Sequence, residues 1–163
     1  MTKLHKASDI ERDEIWKRIA EIRRNGSNPE QLKKFLNDWK RDYGPEFNEL
    51  VKDILAENVC RTASNWAQEK GISTAEDIVK NMWEGWEEGE FTIERTEIGI
   101  QIHCTKCPIA DAYRSIGEVE YGLLFQCDED PFIVRAINPR IAFRRTKTLM
   151  QGDDCCDHYY SKE

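Results

Sequence analysis

The chain has 163 residues, 34% of them charged and 39% hydrophobic, and a formal net charge of −7. That length can bury one sizeable core, and the composition is that of an ordinary globular protein rather than a disordered one. The acidic balance argues against general nucleic-acid binding, which draws its affinity from Lys and Arg, and no apolar run approaches the roughly 20 residues that span a bilayer.

The first half reads as helices. Ile15, Ile19 and Ile22 share one face of a segment from Asp9 to Arg24. Met1 to Arg24 is charged throughout and lacks the apolar centre of a signal peptide, so a cytoplasmic location is expected. Asn25-Gly26-Ser27-Asn28 breaks the segment, and Pro29 suits the first position of a second helix. Leu32, Phe35, Leu36, Trp39 and Tyr43 form its apolar stripe. Gly44-Pro45 separates it from the longest helix, in which Phe47, Leu50, Val51, Ile54, Leu55, Ala63 and Trp66 keep the helical period as far as Gly71. Ser73 and Glu76 have capping-box spacing before a fourth helix carrying Ile78, Met82, Trp83 and Trp86. The four tryptophans Trp39, Trp66, Trp83 and Trp86 are expected in the core.

From Glu90 the period becomes two. Phe91 and Ile93, then Ile98, Ile100 and Ile102, alternate with polar residues and predict an antiparallel hairpin. Pro108 opens a short helix closed by Gly117, and another helical piece with Tyr121, Leu124 and Phe125 ends near Cys127. Two more strands are expected, Ile141 to Met150 and Cys155 to Ser161, joined by a turn at Gln151-Gly152-Asp153-Asp154. The fold class is therefore α+β in a single domain, 1–163. A helical N-terminal layer (1–89) packs on a small antiparallel β-sheet with short helices (90–163).

Five of the six cysteines lie after residue 100. A reducing compartment would keep them as thiols, which leaves metal binding, catalysis and plain burial open. Cys107 precedes Pro108, so it is the expected N-cap of a helix. There the free backbone N–H groups and the positive end of the helix dipole favour a thiolate; the alternative is a small buried hydrophobe. Cys104 is expected to be an inward strand residue beside Ile102. Period-two geometry puts Cys156, His158 and Tyr160 on one strand face and Cys155, Asp157 and Tyr159 on the other. For His158 a solvated position near the chain end is the plainer expectation. Asp128, Glu129 and Asp130 follow Cys127, and a solvated loop is expected for the latter two. From Pro131 to Gly152 there is no acidic residue, but Arg135, Arg140, Arg144, Arg145 and Lys147 all occur, and one of these arginines could clamp a carboxylate.

The ordered series Cys107-Pro108, Cys127-Asp128, Asn138-Pro139, Thr148-Leu149, Gly152-Asp153 and Cys156-Asp157 resembles the L-2-amino-thiazoline-4-carboxylate hydrolase family over about the last third of the chain. The resemblance implies a hydrolase that opens a cyclic amidine or thiazoline carboxylate at a C–N bond, with Cys107, Cys127 and Cys156 as the functional set. In a hydrolase of this kind Cys107 would attack the carbon, Asp128, Asp157 or His158 would manage protons, and Arg144, with His158, would bind the substrate. His158 departs from the family's usual aromatic residue, and Cys104 and Cys155 are additional thiols. A second reading places zinc or iron on Cys107, Cys127 and Cys156 with His103 or His158. A third is a small-molecule-binding module without catalysis. The expected partner is a small-molecule substrate, not nucleic acid or membrane, and a homodimer is left open.

Overall fold

A computed structural model describes residues 8–162. Helix α1 (Asp9–Arg24) starts at a reciprocal cap, in which Ser8 and Glu11 satisfy each other's backbone N–H groups. Asn28 caps α2 (Pro29–Asp42) by accepting from the Gln31 N–H. A short 3-10 turn, Pro45–Phe47, leads into α3 (Asn48–Lys70), which ends where Gly71 takes a left-handed conformation at φ 68°. The cap of α4 (Ala75–Met82) falls one residue later than the sequence pattern suggested. Thr74 Oγ accepts from the Asp77 N–H at 3.1 Å, and Asp77 Oδ2 accepts from the N–H groups of Ser73 and Thr74. Helix α4 also stops before Trp86, which lies in the turn that follows.

Strands β1 (Glu90–Arg95) and β2 (Gly99–Lys106) form the expected hairpin. Next come α5 (Pro108–Ser115), α6 (Val119–Phe125), a 3-10 turn at Cys127–Glu129 and α7 (Asp130–Ile137). The long strand expected from Ile141 is only two residues, β3 (Phe143–Arg144), followed by a 3-10 turn at Leu149–Gln151. Side chains explain this. The Asp157 carboxylate accepts from the N–H groups of Thr146 and Lys147 at 2.8 and 2.6 Å, and Cys156 Sγ accepts from the Leu149 N–H at 3.2 Å. Those backbone donors are satisfied without a strand ladder. Strand β4 (Cys156–Ser161) pairs with both β2 and β3, so the sheet order is β1-β2-β4-β3 with every neighbour antiparallel.

Two apolar clusters hold the fold. One joins α1, α2 and α3 to α5 and α6 through Ile19, Leu36, Trp39, Ile54, Tyr113 and Phe125. The other packs α4 and α7 on the inner sheet face through Ile78, Val79, Val134, Ile100, Ile102 and Tyr160. Trp83 Nε1 donates to Tyr160 Oη at 3.1 Å and so anchors the helical layer to β4. Cys107 and Leu149 touch both clusters, and the polar residues described next gather at that seam.

Candidate active site

Cys107 is the N-cap of α5, as its place before Pro108 requires. Cys127 begins the 3-10 turn after α6, and Cys156 is the first residue of β4. These remote positions come together: Cys127 is within electrostatic reach of both Cys156 and Cys107, and Cys156 of Cys107. All six cysteines are free thiols.

None of the three is easily ionised in the resting protein. Burial raises Cys107, against the pull of the Ala110 and Ile109 N–H groups at the helix end. Burial pushes Cys156 up to about 11, although the Leu149 N–H and Arg145 favour its thiolate. Cys127 is raised furthest, by burial and then by the neighbouring Asp130 charge. The helix-end argument for Cys107 is sound in direction, but desolvation outweighs it.

Beside the thiols lies a polar cluster. Arg145 Nη1 donates to Asp130 Oδ2 at 2.5 Å and to the Cys127 carbonyl at 2.9 Å, and Nη2 is 3.9 Å from Asp128 Oδ1. The Arg145 side chain is only 12% exposed and that of Asp130 19%. Burial lifts the Asp130 carboxyl to about 7 despite Arg145. His158 Nδ1 is 3.7 Å from Asp130 Oδ2 and has no hydrogen-bond partner. The His158 ring is set edge-on to Trp83 and Phe143, at centroid distances of 4.9 and 5.7 Å. Burial, and then the Arg145 charge, depress His158 to about 3. His158 is thus a buried neutral imidazole, not a solvated residue.

Several expected positions are corrected. Glu129 and Asp130 do not lie in a solvated loop. Glu129 pairs with Arg23, and Asp130 is the first residue of α7. Arg144 is exposed and its guanidinium sits over the Tyr159 ring, 5.0 Å from the centroid, away from the thiols; its neighbour Arg145 enters the site. Asp157 lies on the outer strand face, where it organises the 145–148 loop. Burial raises its pKa, but the bonds from Thr146 and Lys147 outweigh that and hold it below the usual carboxylate range. His103 pairs across the ladder with Asp157 and so faces away from Cys104 and Cys156. Among the described residues no group of three His, Cys, Asp or Glu side chains is placed to hold a metal ion, so the zinc or iron reading has no ligand set there.

Arg145 and Asp128 also line a cavity of about 330 Å³, with Lys52, Leu55, Leu124, Pro131 and Phe132. Arg145 therefore touches both this cavity and the Cys127 backbone, while Cys107, Cys127 and Cys156 are not among the cavity's lining residues. Asp130 and Arg145 complete the cluster; Pro131, the second residue of α7 as Pro108 is the first of α5, is the signal that could have marked this helix start.

The family described as L-2-amino-thiazoline-4-carboxylic acid hydrolase matches residues 19–160, so the likeness runs through the N-terminal helices as well as the C-terminal third. No curated protein and no solved structure gives a significant match.

Proposed function

The chain belongs to the L-2-amino-thiazoline-4-carboxylic acid hydrolase family, and from that premise we propose that it opens the ring of a small cyclic amidine bearing a carboxylate. The observation that carries this reading is the meeting of Cys107, Cys127 and Cys156 with the buried Asp130–Arg145 pair.

Cys107 is the nucleophile in this reading, because two helix-end N–H groups favour its thiolate. Its raised pKa calls for a base, and Asp130, titrating at about 7 and within electrostatic reach, supplies one. The substrate carboxylate enters the cavity lined by Arg145 and Lys52. Asp130 takes the Cys107 proton and sulfur bonds to the amidine carbon. The ring C–N bond then breaks, and the departing nitrogen takes the proton back from Asp130. Water adds to the same carbon and expels Cys107 as a thiol, leaving a carbamoyl product and a net uptake of one water.

A Cys107→Ala variant is expected to lose ring opening by roughly a thousandfold or more, followed by chromatography and mass spectrometry of the amidine and its carbamoyl product. Full activity in that variant would remove the mechanism. Thermal stabilisation of the wild-type protein by the amidine without turnover would favour a binding module instead.

A further inference from the structure

Cys104 and Cys156 stand directly opposite each other in the β2–β4 ladder. The neighbouring pairs Ile102–His158 and Ile100–Tyr160 belong to the same inner face, so both sulfurs project toward the helical layer. Opposed residues of an antiparallel ladder have Cα atoms about 4.5–5.5 Å apart. A disulfide needs about 4.4–6.8 Å, so the backbone already meets the main requirement for a bond. Cys156 is close enough that its charge opposes ionising Cys104. Cys104 Sγ donates to the Lys106 carbonyl at 3.2 Å, and Cys156 Sγ accepts from the Leu149 N–H at 3.2 Å. Cys104 is 2% exposed, whereas Cys156 is only half-buried. An oxidant therefore reaches Cys156 first, with Cys104 behind it as the resolving partner.

We propose that Cys104 and Cys156 are a redox-active dithiol pair that a hydroperoxide closes to a cross-strand disulfide. The Cys156 sulfur attacks the peroxide O–O bond as the thiolate, a minor form at neutral pH because burial pushes the thiol up to about 11, so the step quickens as pH rises. A sulfenic acid forms, and the departing oxygen leaves, with the thiol's proton, as the alcohol or water. The Cys104 sulfur then attacks the Cys156 sulfur and displaces its hydroxyl, which leaves as water with the Cys104 proton. Two thiols are oxidised and one peroxide bond is reduced, with no further reactant. Cys107 is also within electrostatic reach of Cys156, but neither it nor the remaining cysteines shares the facing ladder position. Cys107 lies beyond the end of β2, at the cap of α5 with the Ile109 and Ala110 N–H groups toward its sulfur. Cys127 is on a helical turn, and Cys155 precedes β4. The pairing is independent of the ring-opening reading, but it would withdraw Cys156 from the site invoked there.

The test uses the full chain, reduced, freed of reductant and treated with hydrogen peroxide near stoichiometry. Free thiols are then alkylated and the protein is cut with trypsin. Cleavage after Lys106 and Lys147 separates Cys104 (peptide 96–106) from Cys107 (107–114) and from Cys155 and Cys156 (148–162). The expected product is 96–106 joined to 148–162, with Cys155 alkylated, and dithiothreitol releases it. Persistence of the link in Cys155→Ala and its loss in Cys104→Ala are also expected. A link to 107–114 or 115–135, over-oxidation without a link, or full alkylation of all thiols would overturn the proposal. So would a link on 148–162 that survives in Cys104→Ala. The wild-type digest decides even where a variant folds poorly. A chain that forms the link but opens no amidine ring would refute only the ring-opening reading.

Discussion

Asp130 and His158 exchange a proton when the chain folds, and this has a measurable consequence. In the unfolded chain, between about pH 4 and 6.5, an aspartate is ionised and a histidine protonated. In the folded protein the order is reversed: burial lifts Asp130 to about 7, and burial with the Arg145 charge drops His158 to about 3. Each state therefore carries one proton on this pair, and the two contributions to the pH dependence cancel. Separately they have opposite signs. The raised Asp130 gives stability that is lost as pH climbs toward 7, because the folded state binds the extra proton. The depressed His158 gives stability that is lost as pH falls below 6.5, because the unfolded state binds it.

Removing either partner exposes the other. His158→Phe keeps an aromatic ring against Trp83 and Phe143 and deletes only the imidazole titration. Each proton of difference changes stability by about 1.4 kcal/mol per pH unit. Between about pH 4.5 and 6 the variant should therefore lose about 2 kcal/mol relative to wild type. Asp130→Asn should gain about the same amount over the same interval. Urea unfolding at several pH values, analysed as variant minus wild type, removes the background of other carboxylates. A flat difference curve for His158→Phe, or a falling one for Asp130→Asn, would refute the proton assignment.

Other outcomes follow from the same contacts. Arg145→Met leaves Asp130 without its ion-pair partner and should cost about 3 kcal/mol at pH 8, where the carboxyl is ionised, and clearly less at pH 5; equal losses at the two pH values in urea unfolding would contradict this. Gly122→Ala places a methyl against Met150 Sδ and Tyr113 in the helical core, for a loss of about 1–3 kcal/mol in thermal or urea unfolding. Asp157→Asn weakens the acceptor that holds Thr146 and Lys147, so amide exchange across 145–148 should speed up while the centres of α1 to α3 stay protected.

Much of the fold is legible because apolar residues recur with the period of the element that buries them. Ile15, Ile19 and Ile22, or Ile100 and Ile102, declare their faces, and Pro29 and Pro108 mark helix starts. Helix α7 escapes this reading because it opens on Asp130, the last of three acidic residues. Their role depends on Arg23 and Arg145, which lie far away in the chain. The choice between Arg144 and Arg145 turns on the parity of a two-residue strand, where a shift of one residue reverses the face. The β3 region fails as a long strand because Asp157 and Cys156, from another segment, take its backbone donors.

The misread residues share a cause that bears on the site itself. Asp130, Arg145 and His158 are polar side chains whose burial works against stability unless they are paired, and His158 Nδ1 is left unpaired. Apolar side chains of similar size would fill the seam between the two cores without that penalty. Replacing the ion pair as a unit, with Asp130→Leu and Arg145→Met together, should therefore cost much less than the sum of the two single changes. The same double variant should lack the proton acceptor and the carboxylate clamp invoked for ring opening. Near-native stability with lost turnover would show that the polar seam serves chemistry rather than folding. A double variant as unstable as the summed single changes would instead make the pair part of the scaffold.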